Sequence, residues 1–181
     1  MYDTEHPDTA GVRTPPYVSF QTFLTLIEDL KTNGLPPRID RSVLKRFSGG
    51  VGGQLQVALK SLGLADEGNL PTERLARMVD GYGTEAFKSV LRECLAIGYP
   101  FLESFDLKNG TPSMFAEAFR KATSAREDVL KKCRRFYIYA AQFCGVDIGP
   151  RLTAGAASPT TRASSGGYKR RATPSKRNST E

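Results

Sequence analysis

Between positions 120 and 135 the chain places Arg120, Lys121, Arg126, Lys131, Lys132, Arg134 and Arg135, seven cations in sixteen residues, against Glu127 and Asp128. Ammonium and guanidinium groups at this density hold phosphate oxygens, and Tyr139 follows on the same segment with an aromatic ring. A second set, Gln54, Gln56, Lys60 and Ser61, combines amide, ammonium and hydroxyl groups of the kind that read base edges and phosphates in a major groove. A third lies in Tyr168-Lys169-Arg170-Arg171 and Ser175-Lys176-Arg177, whose charge suits nonspecific contact with a polyanion. Arg170-Arg171-Ala172-Thr173 also has the form of a basophilic kinase site. A solvated helix face has the composition of the first two sets, and a solubilising extension that of the third.

Other chemistry is poorly supplied. The one histidine, His6, lies in a polar stretch, so a Ser-His or Cys-His nucleophile is excluded from the folded body. No Cys, His, Asp or Glu cluster has metal-ligand spacing. The acid pairs Glu28-Asp29 and Glu127-Asp128 are adjacent in helical patterns, where neighbouring side chains diverge. Cys94, Cys133 and Cys144 are odd in number and sit in apolar patterns, which predicts buried thiols and a reducing compartment. Glycines 49, 50, 52 and 53 precede a helix, yet no apolar strand comes before Ser48 and no Lys-Ser/Thr follows, so a turn is expected there and no nucleotide loop. The expectation is a protein without enzymatic activity, metal or cofactor.

These groups need elements to carry them. The formal net charge is +7, but residues 150–181 hold seven Lys and Arg against one acid, so this tail accounts for +6 and the rest for +1. The tail is rich in Ala, Gly, Ser, Thr and Pro and is expected to be disordered. Residues 1–16 read as a flexible leader without the basic and apolar pattern of a secretory signal. The longest apolar run, 136–146, is too short to span a bilayer, which predicts a cytoplasmic protein with no membrane partner.

Between leader and tail, residues 17–149 are expected to form one mainly α domain. Its N-terminal half, 17–80, reads as winged-helix-like. Phe20, Phe23, Leu24, Ile27 and Leu30 line one helix, and Asp40 caps a second through Phe47. A third helix over about 53–62 is followed by at most one short β-hairpin around Asp66-Glu67-Gly68-Asn69, with Gly68 supplying the positive φ, and Thr72 caps the next helix. The C-terminal half, 84–149, contains helices capped by Thr84 and by Thr111-Pro112, the latter with Met114 inward, and a long helix opened by the capping box Ser124-x-x-Glu127 and closed by Gly145. Segments 58–66 and 140–147 both run from a helix into Gly, an aliphatic residue and an acid, which suggests an internal duplication or merely the common end of a helix.

Pro16-Tyr-Val-Ser-Phe-Gln-Thr-Phe23, Leu35-Pro-Pro-Arg-Ile-Asp-Arg-Ser42, Ser48-Gly-Gly50, Gln54-Leu55, Ala58-Leu-Lys-Ser-Leu-Gly-Leu64 and Pro71-Thr72 together resemble the prokaryotic domain-of-unknown-function family numbered 5343. The resemblance covers about 16–150 and implies a winged-helix-like protein with no assigned activity or site residues. The expected function is a non-enzymatic DNA-binding or DNA-associated protein, with Gln54, Gln56, Lys60, Ser61, Lys131, Lys132, Arg134, Arg135, Lys169, Arg170 and Arg171 as contacts. The alternative is a protein-interaction or assembly module of a multi-component prokaryotic system.

Overall fold

Hydroxyl side chains set most of the helix starts. Ser19 accepts from the Thr22 amide at 3.0 Å and opens α1, Phe20–Asn33; Ser48 accepts from Val51 and opens α2, Gly49–Ser61. Thr72 and Thr84 cap α3, Glu73–Asp80, and α4, Glu85–Gly98, through the Leu75 and Ala86 amides. A single 3-10 turn, Pro100–Leu102, then leads to α5, Pro112–Ala122, which has Thr111 as its cap and Pro112 in its first turn. Last come α6, Glu127–Phe143, and α7, Pro150–Ala156. The computed structural model describes residues 13–156, and among the described residues there is no β-strand: the protein is mainly α.

α2 and α6 end alike. Gly63 and Gly145 adopt φ of 65° and 75°. The next amides, of Leu64 and Val146, reach back to Leu59 and Ala141 oxygens at 2.8 and 2.9 Å. Glycine, with no Cβ, takes this left-handed position at least cost. The likeness of 58–66 to 140–147 is therefore that of two glycine-terminated helix ends.

Several expectations need correction. The predicted helix from Asp40 to Phe47 is a chain of turns, because the Asp40 carboxylate accepts from the Ser42 amide at 2.7 Å and hydroxyl at 2.5 Å, competing locally with helix formation. Ile39 and Leu44, both buried, anchor this loop. α2 begins at Gly49 rather than Gly53, so the glycines form its first turn. The wing shrinks to one antiparallel bridge, Ala65 with Pro71, since Pro71 has no amide to extend a ladder. Its turn takes positive φ at Asn69 (64°) and not at Gly68. The Ser124-x-x-Glu127 box does not form: Arg126 occupies the cap position with no side-chain bond, and Glu127 is drawn to arginines. Met114 faces outward, 55% exposed. Both predicted domain edges move. Pro15 and Pro16 are buried, with the Pro15 oxygen accepting from Cys133 Sγ at 3.4 Å, and α7 adds buried Leu152 to the core.

α6 is the central element, packed against α1, α4, α5 and α7. Phe136 meets Phe20 and Phe23 edge-on at 5.7 and 5.6 Å, while Tyr137 meets Tyr99 at 4.8 Å on the other side. With Leu130, Cys133, Phe136, Tyr137, Ile138, Ala140 and Ala141 all buried, little of the helix remains outside. What remains is Glu127 and Asp128 in the first turn, then Lys131, Lys132, Arg135, Tyr139, Gln142 and Phe143. At 3.6 residues per turn Lys131, Lys132, Arg135, Tyr139 and Gln142 fall within an arc of about 100°, which Asp128 of the first turn shares.

Candidate nucleic-acid interface

The first turn of α6 carries the acids, and other cations take them up. Glu127 Oε1 receives Arg134 Nη2 at 2.7 Å, and Oε2 receives Arg120 Nε at 3.2 Å. Hydrogen bonding from Arg134, and then from Arg120, holds the Glu127 carboxyl below the usual glutamate range. Asp128 lies 3.5 Å from Arg126. One turn further on Lys131 and Lys132, and two turns on Arg135, are exposed and have no acidic partner among the described residues.

Arg135 stands on a ridge between two depressions. One, of about 240 Å³, lies between α5, α6 and α7 and takes Lys131 and Arg134 into its wall. The other, of about 430 Å³, lies between residues 17–21 and α6 and takes in Lys132 and Tyr139. Arg134, predicted with this patch, belongs to the scaffold: its side chain is only 15% exposed, one guanidinium nitrogen is bound to Glu127, and Nη1 is buried without a partner in the described structure.

The α2 set comes out differently. Ser61 is buried and its hydroxyl donates to the Ala58 oxygen at 3.1 Å, because it follows the apolar stripe of Leu55, Ala58 and Leu59 onto the core side. It cannot contact a groove, which corrects that assignment. Gln56 donates to the Ile39 oxygen at 3.4 Å, and Lys60 donates to the Glu67 oxygen at 2.9 Å. Gln54 is half-buried. α2 thus presents no row of uncommitted polar ends.

The opposite end of α2 carries a basic cluster of its own. Arg41 and Lys45 line a cavity of about 290 Å³ with glycines 49, 52 and 53 at the start of α2. Arg38, Arg41, Lys45 and Arg46, four cations in nine residues, are the sequence signal for it. Arg46 is held by Asp29 at 2.5 Å.

The segment 13–19 joins the two regions. Arg13 binds Glu67 at 2.8 Å and the Lys60 oxygen at 3.3 Å, Pro15 rests on Cys133, and Tyr17 and Val18 line the larger depression beside α6. The turn after α2 and the middle of α6 are therefore tied by one short strap. Lys169, Arg170, Arg171 and His6 lie outside the described residues.

Burial pushes the thiols of Cys94 and Cys133 up to about 12 and that of Cys144 to about 11, so none is a ready nucleophile at neutral pH. Among the described residues no three His, Cys, Asp or Glu gather to hold a metal, and no helix is long and apolar enough to cross a membrane. No family model, curated protein or solved structure matches the chain.

Proposed function

We propose that this protein is a non-enzymatic nucleic-acid-binding protein that uses the outward stripe of α6 as its interface. One observation carries the reading: Lys131, Lys132 and Arg135 share a narrow arc with Tyr139 and lack acidic partners among the described residues, while the acids beside them are already engaged. Phosphate contacts need cations whose charge is not spent internally, and an aromatic ring beside them adds a surface for bases. The groove-reading role expected for α2 has less support, with Ser61 buried and Gln56 and Lys60 bonded to backbone. The family resemblance of 16–150 supplies no activity and leaves this proposal unchanged.

A second reading, a protein-assembly module, draws on Met114, which is exposed beside Phe101 and Phe105 in a depression of about 440 Å³. Anisotropy of a labelled DNA duplex with the full chain separates the two. Replacing Lys131, Lys132 and Arg135 by Ala should weaken binding about tenfold or more near 0.1 M salt, the order expected for removing several phosphate contacts. Gln54→Ala with Gln56→Ala should change it less than about twofold. A larger loss from the glutamine pair would move the interface to α2, and undiminished binding by the triple variant would sink the α6 interface.

A further inference from the structure

Resting on that reading, we propose that the groove between residues 17–21 and α6 holds the unpaired bases of a single nucleic-acid strand, with Tyr139 as the stacking surface and Lys132 and Arg135 as its phosphate contacts. The groove, about 430 Å³, is of a size that takes small planar ligands. Tyr17 and Val18 form one wall. Phe136 is fully buried at its base, its ring fixed by Phe20 and Phe23, so the floor is apolar and rigid. Tyr139 is 37% exposed on the opposite wall, one turn beyond Arg135.

Each part suits a strand better than a duplex. In a duplex the base faces are stacked and only edges are available, so reading it requires polar ends aimed into a groove. α2 offers no row of them, since Ser61 is buried and Gln56 and Lys60 are bonded within the fold, which leaves the half-buried Gln54. An aromatic wall flanked by two cations recognises what an unpaired nucleotide displays, a π-face and a phosphate, without regard to sequence. From Lys131 to Gln142 the stripe runs about 17 Å, the length of roughly five stacked nucleotides. That is within the usual span of one single-strand module.

The test uses the full chain, an eight-residue oligothymidine and a hairpin duplex of equal charge. Tyr139→Leu should weaken oligothymidine binding fivefold or more, the lower end of what one base-aromatic stack contributes, and change duplex binding less than twofold. Tyr139→Phe should restore the affinity. Because the chain has seven Tyr and no Trp, tyrosine emission reports stacking directly: oligothymidine should quench it in the native protein, and part of that quench should vanish in Tyr139→Phe. Equal losses on strand and duplex, or an unchanged quench, would overturn the groove assignment. If the duplex binds through Lys131, Lys132 and Arg135 while oligothymidine binding ignores Tyr139, only this inference fails. If neither ligand depends on those cations, the proposed function fails with it.

Discussion

Arg134 and Arg135 are adjacent in the chain and have opposite roles. Arg134 turns inward to Glu127 and is mostly covered, whereas Arg135 separates two open depressions. Arg134→Ala should lower the melting temperature, because it removes a packed stem and one of the two cations on Glu127; Arg135→Ala should leave stability within about 0.5 kcal/mol, as for other surface changes. Differential scanning fluorimetry of the two variants checks this. Glu127 also carries a sign. Its carboxyl titrates below its unfolded value, so it contributes stability above pH 4.3 or so that fades as the pH falls through the folded value. Glu127→Gln should therefore flatten the acid limb of the stability profile. The cysteines run the other way. Their folded values are raised, so their contribution is complete below about 8.5, the ordinary thiol value, and is lost as the pH climbs toward 11 to 12. A thiol reagent should find almost no reactive cysteine in the native protein at pH 7.5 and three after denaturation. Rapid native labelling of Cys94 or Cys133 would contradict the packing of α4 and α6.

Elements show how far local signals reach. The caps Thr72, Thr84 and Thr111 were readable because a hydroxyl three residues or fewer ahead of an amide acts within one turn. The long α6 was readable from its apolar spacing, and its end from Gly145. Gly145→Ala should cost about 1–2 kcal/mol, the penalty for an L-residue in the left-handed region, with no clash to add because only Arg92 Nη2 lies near the new Cβ, at 3.8 Å. Equilibrium urea unfolding measures it. What escaped the sequence was set by competition or by distant partners. Asp40 is as good an Asx-turn former as a helix cap, and the turn won. Ser124 and Glu127 have capping-box spacing, but Arg120 and Arg134 claim the carboxylate. α7 starts in a stretch of tail-like composition and has one large apolar anchor, Leu152, too little for a periodic pattern. Ending the chain at 149 should accordingly destabilise it by about 2 kcal/mol or more through loss of Leu152, while ending it at 156 should not.

Across the whole molecule, net charge says little and its placement says much. Most of the +7 lies beyond residue 149, yet within the fold three cations on one narrow arc of α6 have no acidic partner among the described residues. The candidate site was half legible. The cluster at 120–135 stood out by composition, but its division into scaffold (Arg120, Arg134) and surface (Lys131, Lys132, Arg135) depends on where Glu127 sits between two helices. The α2 assignment failed at Ser61 because the stripe that buries Ala58 carries it inward as well. Arg41 and Lys45 were hidden by the expectation of a helix there. The most direct test of the α6 interface is the slope of log affinity against log salt for duplex DNA, compared between the full chain and its Lys131, Lys132 and Arg135 to Ala variant. Each phosphate contact contributes about −0.9 to that slope, so the variant should be shallower by about 2 to 3, whatever the remaining cations add to both proteins. An identical slope in the two would contradict the assignment of these residues to the interface.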